Sequence, residues 1–270
     1  MASTNPAFSR NPAFAAPGSA AATRTLSDSE LNDLYNAPAA GSQDTGRMSY
    51  EDTIAKTALS FGILVVAAVA SWILTPTFGF LPILAAIVGF VLAMVNIFKK
   101  QPSPGLVLAY AAVEGLFIGG ISMIFERIYP GVVLQATLAT VVVVGVTLAL
   151  FASGKIRASK RATKVFMIAM IGYVVFSLVN VGMMAFGVTD NAFGLRSADF
   201  FGTGIPFGVV IGVLAVIMAA YSLVLDFDSI QRGVQNRAPR VYGWSGAFGI
   251  MVTVIWLYVE LLRLFALSRR

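Results

Sequence analysis

Residues 57–98 read TALSFGILVVAAVASWILTPTFGFLPILAAIVGFVLAMVNIF, without a single charged side chain. One helix needs only about 20 apolar residues to cross ~30 Å of hydrocarbon at 1.5 Å per residue. The run is twice that length, and Thr75-Pro76-Thr77-Phe78-Gly79 interrupts it with turn chemistry. It therefore reads as two membrane helices, over about 55–74 and 79–98.

The same pattern repeats downstream. Apolar segments at about 104–125, 132–152, 165–186, 205–226 and 243–266 each have the length of one span. Open strands would leave backbone groups unpaired in lipid, so the spans must be helices. The expected fold is an all-α integral membrane protein, a seven-transmembrane-helix bundle over residues 53–270 whose solvent is the lipid bilayer.

Composition agrees: 57% of the 270 residues are hydrophobic and 12% charged, against about 25% charged in average soluble domains. There is no cysteine, which excludes disulfides, thiolate metal sites and a cysteine nucleophile. There is no histidine either, which removes the usual titrating group near neutrality and any imidazole metal ligand. No catalytic set emerges, and proton sensing would have to rest on carboxylates. The net charge of +6 is not a nucleic-acid signal, because the basic residues sit in short loops between apolar runs.

Those loops set the orientation. With a cytoplasmic amino-terminus, fourteen of the nineteen basic residues fall inside, among them Arg47, Lys99, Lys100, Lys155, Lys160, Arg232 and Arg240. Arg127 and Arg196 fall outside, and so do Arg263, Arg269 and Arg270 if the last segment crosses; a re-entrant last segment would return those three to the inside. The expected location is the membrane, as a multi-pass protein with a cytoplasmic amino-terminus; if the protein is bacterial, that membrane is the cell membrane.

Residues 1–52 are rich in Ala, Ser, Asn, Pro and Gly and lack the basic and apolar regions of a signal peptide. They read as a disordered tail, with Asn5-Pro6-Ala7-Phe8 repeated as Asn11-Pro12-Ala13-Phe14. Ser27 and Glu30 match a capping box, which predicts a short amphipathic helix over about 28–35. The repeats would suit docking to another membrane protein. Within the spans, Gly115 with Gly119, and Gly204, Gly208 and Gly212, recur at four-residue spacing, a pattern that lets helices approach closely.

Of thirteen acidic residues, Glu114, Glu126, Asp226, Asp228 and Glu260 lie near membrane depth. A carboxylate facing lipid costs about 2.5–3.5 kcal/mol on insertion scales, so such groups turn toward the bundle interior or water and point to function. Blander readings exist for four of the five. Asp226 and Asp228 suit an interfacial pair near Arg232, Glu260 has Arg263 one turn later as a local counter-ion, and Glu126 suits a solvated loop mouth.

Three stretches resemble a known family. Glu114-Gly115-Leu116-Phe117-Ile118-Gly119, Leu225-Asp226-Phe227-Asp228-Ser229-Ile230 and Leu257-Tyr258-Val259-Glu260-Leu261-Leu262-Arg263 occur in the order of the Bax inhibitor-1/YccA family, over about residues 50–268. The resemblance implies a stress-response membrane protein. It also implies an acidic pair on the last two helices, at Asp226 and Glu260, that controls a calcium leak by pH. Here the second acid is Glu rather than the usual Asp, and the segment between the two is long enough to set Glu260 a turn or two farther out.

Two carboxylates close together in a low dielectric cannot both ionise cheaply, and they then share a proton that reports pH. Calcium, as bound or transported ion, takes carboxylate and carbonyl oxygens, which Asp226 and Glu260 would offer. The other reading is a non-conducting regulator of a membrane partner, as YccA-type relatives modulate a membrane-bound AAA protease. An intramembrane aspartyl protease does not fit, because Gly-x-Gly-Asp occurs nowhere.

Overall fold

Ser49 accepts a hydrogen bond from the Asp52 backbone N–H at 3.2 Å and starts α1, Tyr50–Leu74. The computed structural model describes residues 46–189 and 193–269; the tail repeats and the helix expected at 28–35 lie outside them. After α1 come α2 (Leu81–Phe98), α3 (Pro104–Ile128), α4 (Val132–Ala152), α5 (Lys160–Ala185), α6 (Phe207–Gln235) and α7 (Gly243–Leu267). All seven spans expected from the sequence are present, each long and apolar enough to cross a membrane.

Local chemistry sets their boundaries. Pro82 and Pro104 sit in the first turns of α2 and α3, where the missing N–H costs nothing. Gly131 precedes α4 at φ 83°, a conformation open to glycine without strain. Ser159 caps α5 by accepting from the Ala162 N–H at 3.2 Å, which starts that helix five residues earlier than its apolar run. The largest difference is α6, which continues to Gln235. Asp226 therefore lies inside the helix rather than at its end.

α3 is gripped on two sides. A side chain at Gly115 or Gly119 would strike the backbone carbonyls of Leu64 and Ala68 in α1, so the two helices touch backbone to backbone there. A second core joins α4, α6 and α7 around Ala136, Ala219, Leu257 and Leu261. α5 is the exception, since Asn180 is its one buried side chain. Gly208 and Gly212 pack against Leu267 and Leu264 of α7, whereas Gly204 lies before α6 at φ 74° and takes no part in that stripe.

We expect Gly119→Val to cost about 1–3 kcal/mol, the usual range for overpacking, seen as a lowered melting temperature in detergent. Gly145→Ala, at a helical position with open space, should not lower it, since alanine favours a helix interior over glycine. Equal melting of the two variants would mean that α1 and α3 do not meet as described.

The bundle's ends are pinned by polar contacts. Met48 N–H donates to the Ala238 carbonyl at 2.8 Å and Arg240 N–H to that of Gly46 at 2.9 Å, so α1 begins beside the α6–α7 link. Asp52 reinforces this corner by pairing with both Lys56 and Arg240. At the far end of α7, Arg269 donates to the Pro130 carbonyl in the α3–α4 link. α7 thus runs from one end of the bundle to the other, and the re-entrant alternative falls away. Arg263 and Arg269 lie at the end opposite the start of α1.

Candidate functional site

Three of the five membrane-depth acids, Glu114, Asp226 and Glu260, lie in separate interior environments. Glu114, buried on α3, lies against Gly89 of α2, where an added Cβ would sit 2.8 Å from its Oε1. A larger residue there would push the carboxylate aside. Tyr110, one turn earlier on α3, is its polar neighbour.

Asp226 points from α6 toward α7. Thr253 donates its hydroxyl to Asp226 Oδ2 at 2.7 Å and lies 3.2 Å from the Ser222 hydroxyl. Close approach of α7 at Gly249, where a Cβ would be 3.1 Å from Oδ1, completes the pocket around the carboxylate. A cavity of about 230 Å³ reaches Asp226 from the end where α1 begins, lined also by Met48, Ser229, Tyr242 and Gly249. Asp228 turns elsewhere and pairs with the exposed Arg232 at 2.9 Å. Of these two acids, Asp226 alone faces the interior.

Glu260 is 1% exposed and fully engaged. Its Oε2 takes the Arg196 guanidinium at 3.1 Å, while Oε1 accepts from Arg263 and from the Tyr173 hydroxyl. Arg196 is equally buried, at 3%, and also donates to Tyr173 and Ser177 at 3.3 Å each. Its guanidinium lies 5.5 Å and 5.7 Å from the ring centres of Tyr173 and Phe176. Buried ions need such saturation, because leaving water costs several kcal/mol per ion.

A short 3₁₀ turn, Gly194–Ser197, carries Arg196 into the bundle. Asn180 of α5 clamps it, accepting from Leu195 N–H at 2.7 Å and donating to the Phe193 carbonyl at 3.3 Å. Gly194, at φ 58°, gives the bend, and Gly208 gives α6 the room to pass Arg196. The sequence reading identified Arg263 through its spacing but not Arg196 or Tyr173, which lie 64 and 87 positions from Glu260.

Asp226 and Glu260 do not meet. Thr253, which holds Asp226, precedes Glu260 by seven positions on α7, about 10 Å of helical rise. Leu223 and Leu257, both with no exposed surface, fill the turn between the two levels. Among the described residues, no three acidic side chains converge as a metal site.

The family model described as "Bax inhibitor 1 like" matches residues 5–270. The chain belongs to the Bax inhibitor 1-like family. The match takes in most of the amino-terminal segment, which the quoted motifs had left out of the resemblance. No curated protein matches the chain. This member of the Bax inhibitor 1-like family is thus a multi-helix membrane protein whose interior acids are distributed over the bundle, not gathered at one point.

Proposed function

We propose that the protein is a pH-sensitive cation leak, with calcium as its cargo and Asp226 as the acid that cations meet first. The observation carrying this reading is Asp226 itself, a carboxylate at a cavity open to one end of the bundle. Among the described residues it has no cationic partner. An ionised carboxylate there attracts cations and a protonated one does not, so flux through this site should fall as the pH falls. Carbonyl oxygens and water would complete the coordination of a passing calcium ion.

At the other end Arg196 and Arg263 occupy the oxygens of Glu260. In this reading the bundle is closed at rest, with the buried Leu223 and Leu257 as the apolar seal between the two levels. Opening requires that the Gly194–Ser197 turn withdraw its arginine from Glu260. No catalytic step belongs to this reading.

Calcium entry into liposomes containing only this protein tests it. Entry above that of protein-free liposomes, varying with pH, is expected. No entry at any pH would favour the second reading, a non-conducting regulator of another membrane protein, which draws on the closed seal and on the exposed apolar face of α5. In that reading the amino-terminal repeats serve in docking.

The proposed orientation places the start of α1 in the cytoplasm. It follows from the excess of basic residues at that end, and Glu260 neutralises part of the charge at the other through Arg196 and Arg263. In intact cells, an impermeant thiol reagent should label a Ser268→Cys variant and spare Gln235→Cys. Labelling of Gln235→Cys alone would reverse the orientation.

A further inference from the structure

The Glu260 cluster contains more positive than negative charge. Arg196 and Arg263 both pair with this single carboxylate, and among the described residues neither has another acidic partner. Arg196 spends its remaining contacts on Tyr173 and Ser177. Arg263 has one described hydrogen bond and is 28% exposed, so most of its guanidinium fork is unused.

Both arginines line a cavity of about 380 Å³ between α5 and α7, together with Tyr173, Ser177 and Asn180. Its remaining wall is apolar and faces outward: Val174, Leu178 and Val181 of α5 line it and are 45%, 67% and 62% exposed. The cavity therefore opens sideways, toward the hydrocarbon. Its charged lining is close to the end of the bundle, since Arg263 precedes the last residue of α7 by four positions, about 6 Å.

A surplus guanidinium charge with an apolar outlet at the depth of the lipid heads fits one class of ligand. We propose that this cavity binds the anionic head of a membrane amphiphile, a phosphate or carboxylate, on Arg263 with Arg196 beneath it, and that the acyl chain leaves along Leu178 and Val174. The planar fork of arginine matches the paired oxygens of both head groups. The site does not depend on cation flux. Its occupant does compete with Glu260 for Arg263, so binding would loosen the closure of that end.

Trp256 reports on the site, because its indole N–H donates to the Tyr173 hydroxyl at 3.4 Å and the two rings lie 5.6 Å apart. The test is quenching of tryptophan fluorescence in the full-length protein, in a neutral detergent, by dibrominated phosphatidylglycerol, phosphatidylcholine and stearate. The expected result is saturable quenching by the phosphatidylglycerol and the stearate at concentrations at least tenfold below those needed for phosphatidylcholine. Trp256→Phe should abolish that component, and Arg263→Gln should weaken it at least tenfold. Arg263→Lys, which keeps the charge without the fork, should fall between.

Equal quenching by phosphatidylcholine and phosphatidylglycerol would overturn the proposal, since the cavity would then hold chains without regard to the head. So would quenching unchanged in Arg263→Gln. Displacement of the brominated stearate by millimolar inorganic phosphate would overturn the amphiphile and assign the cavity to a free anion. Failure of phosphate to compete supports the amphiphile.

Discussion

Glu260→Gln should destabilise the bundle more than any other single change in its ionic cluster, by about 3–5 kcal/mol, the usual cost of removing one member of a buried pair. The reason is what the substitution leaves behind. Arg196, 3% exposed, would lose its only acidic partner among the described residues and remain buried with its charge. Arg196→Gln is the milder change, because Glu260 keeps Arg263 and the Tyr173 hydroxyl. Glu260→Gln combined with Arg196→Met should recover much of the loss, since the buried charges then leave together. Thermal unfolding in detergent gives the ranking. A bundle in which Arg196→Gln melts below Glu260→Gln would mean that Arg263 and Tyr173 do not compensate the carboxylate and that Arg196 is its main counter-ion.

The second large effect concerns Asp226. Asp226→Asn preserves size and the contact with Thr253 while removing the charge at the cavity, so it should lower calcium entry and flatten its pH dependence. Asp228→Asn, at the pair with exposed Arg232, should change little. Because about 10 Å and a layer of leucine separate Asp226 from Glu260, the effects of Asp226→Asn and Glu260→Gln on flux should combine additively on a free-energy scale. Groups this far apart without shared ligands rarely couple. A double variant no worse than either single one would show that the two acids act as a unit in an open state, sharing a proton.

The spans were legible because each rests on a local signal. α4 runs from Val132 to Ala152 as its apolar segment does, bounded by glycine at Gly131 and Gly154. α6 was misread at its end because Asp226 and Asp228 look like the edge of a membrane segment. The Asp228–Arg232 pair one turn apart instead sustains the helix beyond it. Glu126 was read as a solvated loop mouth, yet its carboxylate accepts the N–H groups of Gly131 and Val133 and caps the start of α4. A glycine at the cap position with an acid five residues earlier was a usable signal there.

The arginine in the interior was not legible. Arg196 stands in a loop, where no periodicity assigns it a face. Its place depends on Asn180, Gly194 and Gly208 acting together across three segments of the chain. Its only trace in the sequence was a positive charge on the side of the membrane that usually has few. Arg263 showed the same oddity and was within reach of Glu260 on one helix face, so the first half of the cluster could be read and the second could not.

The most direct measurement is the pH profile of calcium entry into liposomes containing the wild-type protein, Asp226→Asn or Glu114→Gln. Entry that falls with pH in the wild type and in Glu114→Gln, but stays low and flat in Asp226→Asn, is the expected result. Entry whose pH dependence survives in Asp226→Asn and disappears in Glu114→Gln would place the sensor on α3 and contradict the role assigned to Asp226.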